Sequence, residues 1–253
     1  MTHRTKLGIE MNQMIRPKRQ FSEVVDVMRP RRILEVGTWY GRSAITFLSL
    51  ARDFGLDTSC TCVDTWLGSE EHWLNSYPQG EWSDEALRII DGEPRFIEEF
   101  RRNVSVAGLS DRVSVLRAPS SVALKYLNTT DLRFDFIYID GDHSFEGVRS
   151  DIEGALRVTE DENSVILGDD WSWPDVRRAA LVSASRRSYL LCVSGDMWLI
   201  LRRNDPRAMD LSLRNWRIYY GAGLWLATAK SLLHTPYRYG RSLYLRGRNR
   251  MTQ

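Results

Sequence analysis

Three things are scarce in this sequence, and each scarcity excludes something. Cysteine is the first: Cys60, Cys62 and Cys192 are the only three among 253 residues. Cys60 and Cys62 sit two apart in an apparent strand, so they share a face and make a poor disulfide pair. No Cys/His set has zinc-site spacing. The thiols read as reduced core residues of a cytoplasmic protein. Long apolar runs are the second: none reaches the ~18 residues that a membrane span requires. The opening MTHRTKLGIEMNQ also lacks the apolar stretch of a signal peptide. The third is excess charge, since the net value is only +2, which gives no general electrostatic case for nucleic acid. The charge is unevenly spread, however. Arg203 to Gln253 holds ten Lys/Arg against two acidic residues, so this end carries +8 and the remainder −6.

What is present fits one folded α/β unit. Hydrophobic residues make up 43% and charged residues 27%, which argues against disorder and allows one substantial core. Nine tryptophans are useful where a small-molecule pocket must be lined. Helical spacing over 18–29 ends before Pro30. Short apolar strands are predicted at 33–36, 59–63, 112–116, 134–139 and 164–167, with helices at 42–54, 94–107, 120–127, 144–158 and 174–187. The segments 189–193 and 197–201, joined by Ser194-Gly195-Asp196, read as a β-hairpin. Five strand–helix alternations predict a doubly wound, mostly parallel sheet with helices on both faces, mixed at one edge by the hairpin. The chain divides into an N-terminal helical segment (1–30), a main domain (31–203) with an irregular insertion at 66–92, and a basic, aromatic extension (204–253).

In such a sheet, ligands bind beyond the carboxyl ends of the strands. Glu35-Val-Gly37-Thr38-Trp-Tyr-Gly41-Arg-Ser43 puts two glycines between the first strand and its helix, where backbone can approach a ligand and helix N–H groups stand unpaired. The spacing is not the Gly-x-Gly-x-x-Gly of a dinucleotide site. Asp64 ends the second strand, where a carboxylate can accept both hydroxyls of a ribose. Simple turn chemistry is the alternative for the glycines. Glu35-x-Gly37-x-x-x-Gly41 with Asp64 resembles the signature of the class I S-adenosylmethionine methyltransferases over roughly residues 30–200. The resemblance implies a seven-stranded sheet ending in an antiparallel strand. It places Gly37 at the methionine end, Asp64 at the ribose, and the Arg117–Ser120 turn at the adenine. Glu35, Thr38, Gly41, Ser43, Thr65, Ala118, Ser120 and Asp140 complete the expected cofactor site.

The fourth strand ends Asp140-Gly-Asp142-His143 and the fifth Gly168-Asp169-Asp170. If these ends are neighbours, four carboxylates and a histidine converge, a costly arrangement without a neutralising cation or protons. Oxygen ligands suit a hard divalent ion, Mg²⁺ above all. Helix capping is the competing role for Asp140, Asp142 or Asp170. Asp169 and Asp170, being adjacent, can face one ion only if the strand has already broken into a loop. The two segments resemble the metal-dependent O-methyltransferases of antibiotic sugars and related small molecules. That likeness implies Asp140, Asp169 and Asp170 as metal ligands and His143, with Asp140, as the catalytic group. Asp64-Thr-Trp66-Leu-Gly68 with Glu71-His72-Trp73 resembles a subset found near bacterial glycan genes. Three carboxylates leave coordination sites that two neighbouring hydroxyls could fill, so the expected partner is a sugar or glycosylated natural product. His143 has an unperturbed pKa near 6.5, suited to a base at neutral pH. His143 could otherwise bond the backbone at a helix start, and His72 is read as packed or touching substrate. Residues 211–233 have loosely helical spacing, and Arg238, Arg241, Arg246, Arg248 and Arg250 follow. Packing on the domain or a second copy is the preferred reading there, ahead of contact with anionic lipid and then RNA. An RNA methyltransferase guided by this tail is the alternative function, disfavoured because Asp140-Gly-Asp-His replaces the Pro-Pro motif of amino-methylating enzymes.

Overall fold

The computed structural model describes residues 18–69, 73, 89–185 and 189–234. The expectations for the first 17 residues, for His72 and for the arginines from Arg238 onward lie outside these. In chain order, α1 (Arg19–Met28) precedes β1 (Arg32–Val36), α2 (Arg42–Asp53) and β2 (Ser59–Asp64). A short hairpin, β3 (Ile89–Ile90) and β4 (Glu93–Pro94), leads into α3 (Phe96–Val106), β5 (Val113–Arg117) and α4 (Ser120–Asn128). Then come β6 (Phe136–Ile139), α5 (Phe145–Ala155), β7 (Val165–Gly168) and α6 (Pro174–Ser185). The chain continues through β8 (Tyr189–Ser194), β9 (Met197–Arg202), α7 (Arg207–Leu213), β10 (Arg217–Tyr219) and α8 (Gly221–His234).

The main sheet runs β10-β8-β9-β7-β6-β1-β2-β5. Strands β5, β2, β1, β6 and β7 are parallel, and β9, β8 and β10 each pair antiparallel. From β1 the chain first builds outward through β2 and β5, then returns to lay β6 and β7 on β1's other side. The crevice of such a sheet opens at that switch point, beyond the carboxyl ends of β1 and β6. Both faces of the central strands are covered, which is why β1 and β6 are buried without alternation, Glu35 included. On one face Ile33, Phe47, Phe136 and Tyr138 pack with α1, where the Phe21 ring lies 4.5 Å from Phe47. On the other, Leu34, Val36, Ile137 and Ile139 pack with Leu124, Ile152 and Trp198.

The doubly wound sheet and the antiparallel hairpin are as expected, and an eighth strand extends the edge. β10 lies within the segment read as loosely helical. Asn215 takes a left-handed conformation (φ 67°) after α7, and buried Trp216 donates from Nε1 to Glu23 Oε2 at 3.0 Å. These two residues break the helix and pin the strand. The insertion also carries structure at its end. Asp91 and Gly92 both have positive φ, 53° and 81°, the two-residue turn that Asp-Gly favours. It pairs Ile89 with Pro94 and delays the next helix to Phe96.

Candidate active site

Gly37 closes β1 with φ +84°, and a Cβ there would stand 2.2 Å from the backbone oxygen of Asp140 and 2.5 Å from the Gly141 Cα. The loop after β6 therefore crosses directly over the glycine, and the Asp140 N–H donates to the Val36 carbonyl at 2.8 Å. Gly41 (φ +82°) is equally constrained, with Phe100 ring carbons 2.7 Å and 2.9 Å from its would-be Cβ. Protein atoms already occupy the space these glycines make.

Asp64 holds this loop from the next strand. Its Oδ2 accepts from the Thr38 N–H (2.9 Å) and the Trp39 N–H (2.7 Å), and its Oδ1 accepts from the Trp66 N–H at 2.7 Å. A carboxylate offers about four lone-pair positions, so three are engaged in shaping the loop. The neighbouring backbone is tied in as well. The Ala118 N–H donates to the Asp64 carbonyl at 3.0 Å, and Arg117 Nε donates to the Thr65 carbonyl at 3.1 Å. Beneath the loop, fully buried Glu35 accepts from the Ser43 hydroxyl, with Cys62 Sγ 3.6 Å away. Burial above all, with a contribution from Asp140, pushes the Glu35 carboxyl up to about 8. It is thus mainly neutral at pH 7.

Beyond β6 and β7 the acids gather. One ligand atom each from Asp140, His143 and Asp170 lie within 4.8 Å of one another. His143 Nε2 and Asp170 Oδ2 are 2.8 Å apart, and the His143 ring lies 4.6 Å from that of Trp173. The loop required for Asp169 and Asp170 is there: β7 stops at Gly168, and Asp170 is left-handed, with φ 59°. Gly168 is itself obligatory, because a Cβ would sit 2.1 Å from the Trp198 ring. Asp140 accepts from the Tyr138 hydroxyl at 3.1 Å. Burial, then the Asp169 and Asp170 charges, raise the Asp140 carboxyl to about 7, against a smaller opposing effect of His143.

Two members of the expected cluster behave differently. Asp142 turns to the chain, accepting from the Ser144 N–H at 2.7 Å just ahead of α5, where Ser144 accepts from the Gly147 N–H. The helix cap is Ser144 rather than Asp142, which forms a turn ahead of it, and the carboxylates gathered with the histidine are those of Asp140 and Asp170. Asp169 pairs through Oδ2 with Lys18 Nζ, the residue capping α1, while its Oδ1 is buried without a hydrogen-bond partner. An orphaned carboxylate oxygen, beside an acid raised by its burial and then by two neighbouring carboxylates, is a donor set that a cation would satisfy. The residues fit a divalent ion.

Lys18 was not legible as a site residue. Nor was Asp151, buried on α5, hydrogen-bonded to Ser120 and raised to about 6 mainly by burial, with Asp142 adding and Ser120 opposing. A signal for Asp151 existed. It sits in the stripe Val148, Asp151, Ile152, Ala155, an i, i+3, i+4, i+7 pattern whose other members are apolar. Aromatic rings complete the surroundings: Trp39 stacks on Tyr40 at 4.5 Å, and buried Trp66 donates from Nε1 to the Trp39 carbonyl at 2.7 Å.

Comparison with known proteins agrees with this geometry. The profile of a family described as a methyltransferase domain matches residues 34–171, from the middle of β1 to the tryptophan after Asp170. The protein y4gI of Sinorhizobium fredii (strain NBRC 101917 / NGR234) is 27% identical over 146 residues, which are 58% of this chain and 14% of that protein. The chain thus matches about a seventh of that relative's length. Among solved structures, the cofactor-bound Rv0187 from MTB is similar with a TM-score of 0.51 and 21% identity, over 78% of this chain and 83% of that one. The S-adenosylhomocysteine-bound methyltransferase PaMTH1 of Podospora anserina gives 0.51 and 16%, over 73% and 77%. The O-methyltransferase TomG of Streptomyces achromogenes, involved in tomaymycin synthesis and solved with S-adenosylmethionine, gives 0.50 and 16%, over 78% and 82%. At these identities the likeness is one of fold. The family match, in contrast, covers more than half the sequence and takes in the glycine loop, Asp64 and both acidic strand ends, so this chain belongs to the methyltransferase-domain family.

Proposed function

We propose that the protein transfers a methyl group from S-adenosylmethionine to a hydroxyl of a small molecule, with a divalent cation, Mg²⁺ foremost, held by Asp140, Asp169 and Asp170. The convergence of Asp140 and His143, from a loop that packs against Gly37, with Asp170 from the loop after β7, carries this reading. It sets proton-accepting and charge-bearing groups next to the family's donor loop. When bound, the donor supplies an electrophilic methyl carbon on a sulfonium, and the cation supplies positive charge among the carboxylates.

The rest falls to the chain. Gly37, Thr38, Gly41 and Asp64 shape the donor pocket, with Thr65, Ala118 and Ser120 at its ribose and adenine end. Glu35 and Ser43 brace it from below. At the acceptor, the bond between His143 Nε2 and Asp170 assigns the neutral ring's proton to Nε2 and makes Nδ1 the base. Nδ1 takes the acceptor's hydroxyl proton as the oxygen attacks the methyl carbon. The carbon–sulfur bond breaks with its electron pair going to sulfur, leaving S-adenosylhomocysteine. Asp170 then stabilises the imidazolium, as a carboxylate partner does for a catalytic histidine. Sugars and glycosylated natural products, with vicinal hydroxyls, are the acceptor class that suits the acidic rim.

The test is to incubate the protein with S-adenosylmethionine and a panel of glycosides, with and without EDTA, and to follow methyl addition by mass spectrometry. Chelation should abolish turnover. His143→Asn should lower kcat by about 10²–10⁴-fold and leave donor affinity, measured by calorimetry, unchanged. Turnover indifferent to both treatments would remove His143 and the cation from the mechanism.

A further inference from the structure

The surface of α8 is not explained by methyl transfer. Its inner side is well used: Leu224 and Thr228 are buried, and the Thr228 hydroxyl bonds the Leu224 carbonyl at 2.8 Å. Its outer side is apolar and exposed, with Trp225 at 66% and Leu226 at 52%, and Tyr220, just ahead of the helix, at 60%. Large rings and aliphatic chains standing together in water mark an interaction surface. The strand that leads into the helix, β10, lies near the candidate active site, since the ring of Tyr219 is 6.3 Å from that of Trp171, the residue after Asp170.

The charge of the sequence around this patch narrows the partner. From Leu211 to Gln253 there are eight Lys/Arg and no Asp or Glu, and five of those cations, Arg238 to Arg250, follow the helix. A second copy meeting this face about a twofold axis would bring two such segments together, like charge against like. Nucleic acid would satisfy the cations but gain little from an Ala- and Leu-rich helix face. An anionic bilayer surface satisfies both halves: Trp and Leu enter the boundary between headgroups and acyl chains while arginines meet the lipid phosphates.

We infer that the exposed face of α8 is a docking surface for anionic lipid. The inference goes beyond the methyl-transfer reading and stands independently of it. It is tested by co-sedimenting the whole chain with vesicles of phosphatidylcholine alone and of phosphatidylcholine mixed with phosphatidylglycerol. Binding is expected only to the mixed vesicles and should be lost at high salt. The double variant Trp225→Ser, Leu226→Ser should weaken it about tenfold or more. The triple variant Arg246→Gln, Arg248→Gln, Arg250→Gln should weaken it about a hundredfold. Circular dichroism should show both variants folded, as fits the exposure of Trp225 and Leu226. Three results would each overturn the inference: no sedimentation with mixed vesicles, sedimentation unaffected by the Trp225/Leu226 change, or tighter binding to an oligouridylate than to those vesicles. A dimer that the Trp225/Leu226 variant dissociates, in a protein that ignores vesicles, would assign the face to self-association instead.

Discussion

At the scale of the residue, the loop proposed to hold the donor is fixed by contacts that leave no spare volume. Gly37→Ala must accommodate both a left-handed backbone and a methyl group 2.2 Å from the Asp140 oxygen. The backbone term alone costs about 1–3 kcal/mol, so a clear drop in the urea midpoint is expected, together with loss of S-adenosylmethionine binding by calorimetry. An unchanged midpoint would mean that the β6 loop yields. Glu35 makes a second, pH-dependent prediction. Its carboxyl is raised from 4.5 to about 8 by burial, so folding favours the protonated form. Its contribution is complete below the ordinary carboxylate range and is lost as pH rises through about 8. Thermal stability should therefore decline from about pH 4.5 to about pH 8 and level off above that. Glu35→Gln, which stays neutral, should flatten that decline, and an equal slope in both proteins would show that Glu35 ionises without cost.

At the scale of the element, α1 matters for more than packing. It delivers Lys18 to Asp169 across 151 positions of sequence, so one candidate cation ligand already has a cationic partner. A divalent ion there must compete with that ammonium. Lys18→Ala should accordingly tighten Mn²⁺ binding, read by electron paramagnetic resonance on the metal, whereas weaker binding would make Lys18 a supporting residue. Contacts of this range mark where sequence reasoning ended. Strand ends with an acid after them, such as Asp64 and Asp140, are local patterns and could be read directly, as could the hairpin at Ser194-Gly195-Asp196. Asp142 carried the same local signal for capping as for clustering, and the path of the loop gives it neither role, because Ser144 is the cap. β10 was hidden because its apolar residues lie between two helices and the break rests on Asn215, an asparagine in a glycine-like conformation. The β3–β4 hairpin, in contrast, announces itself as Ile-Ile-Asp-Gly and was obscured by the irregular segment before it.

At the scale of the whole molecule, an eight-stranded sheet is covered on both faces, and no helix among the described residues is long and apolar enough to cross a membrane. Ligands that settle in the crevice should stabilise the entire fold. Each of S-adenosylmethionine and S-adenosylhomocysteine, at a hundred times its dissociation constant, should add about 2.7 kcal/mol, visible as a rise in the thermal midpoint. A nicotinamide dinucleotide should add nothing. The abutment of Gly37 on Asp140 gives these equilibria a further property. The turn proposed to face the donor and the turn that carries the first acid cannot shift separately, because a Gly37 Cβ would already meet the Asp140 backbone. Whatever stiffens one therefore stiffens its neighbour, and thermodynamic reciprocity makes the benefit mutual. Nucleotide and ion should each sharpen the protein's grip on the other by the same factor.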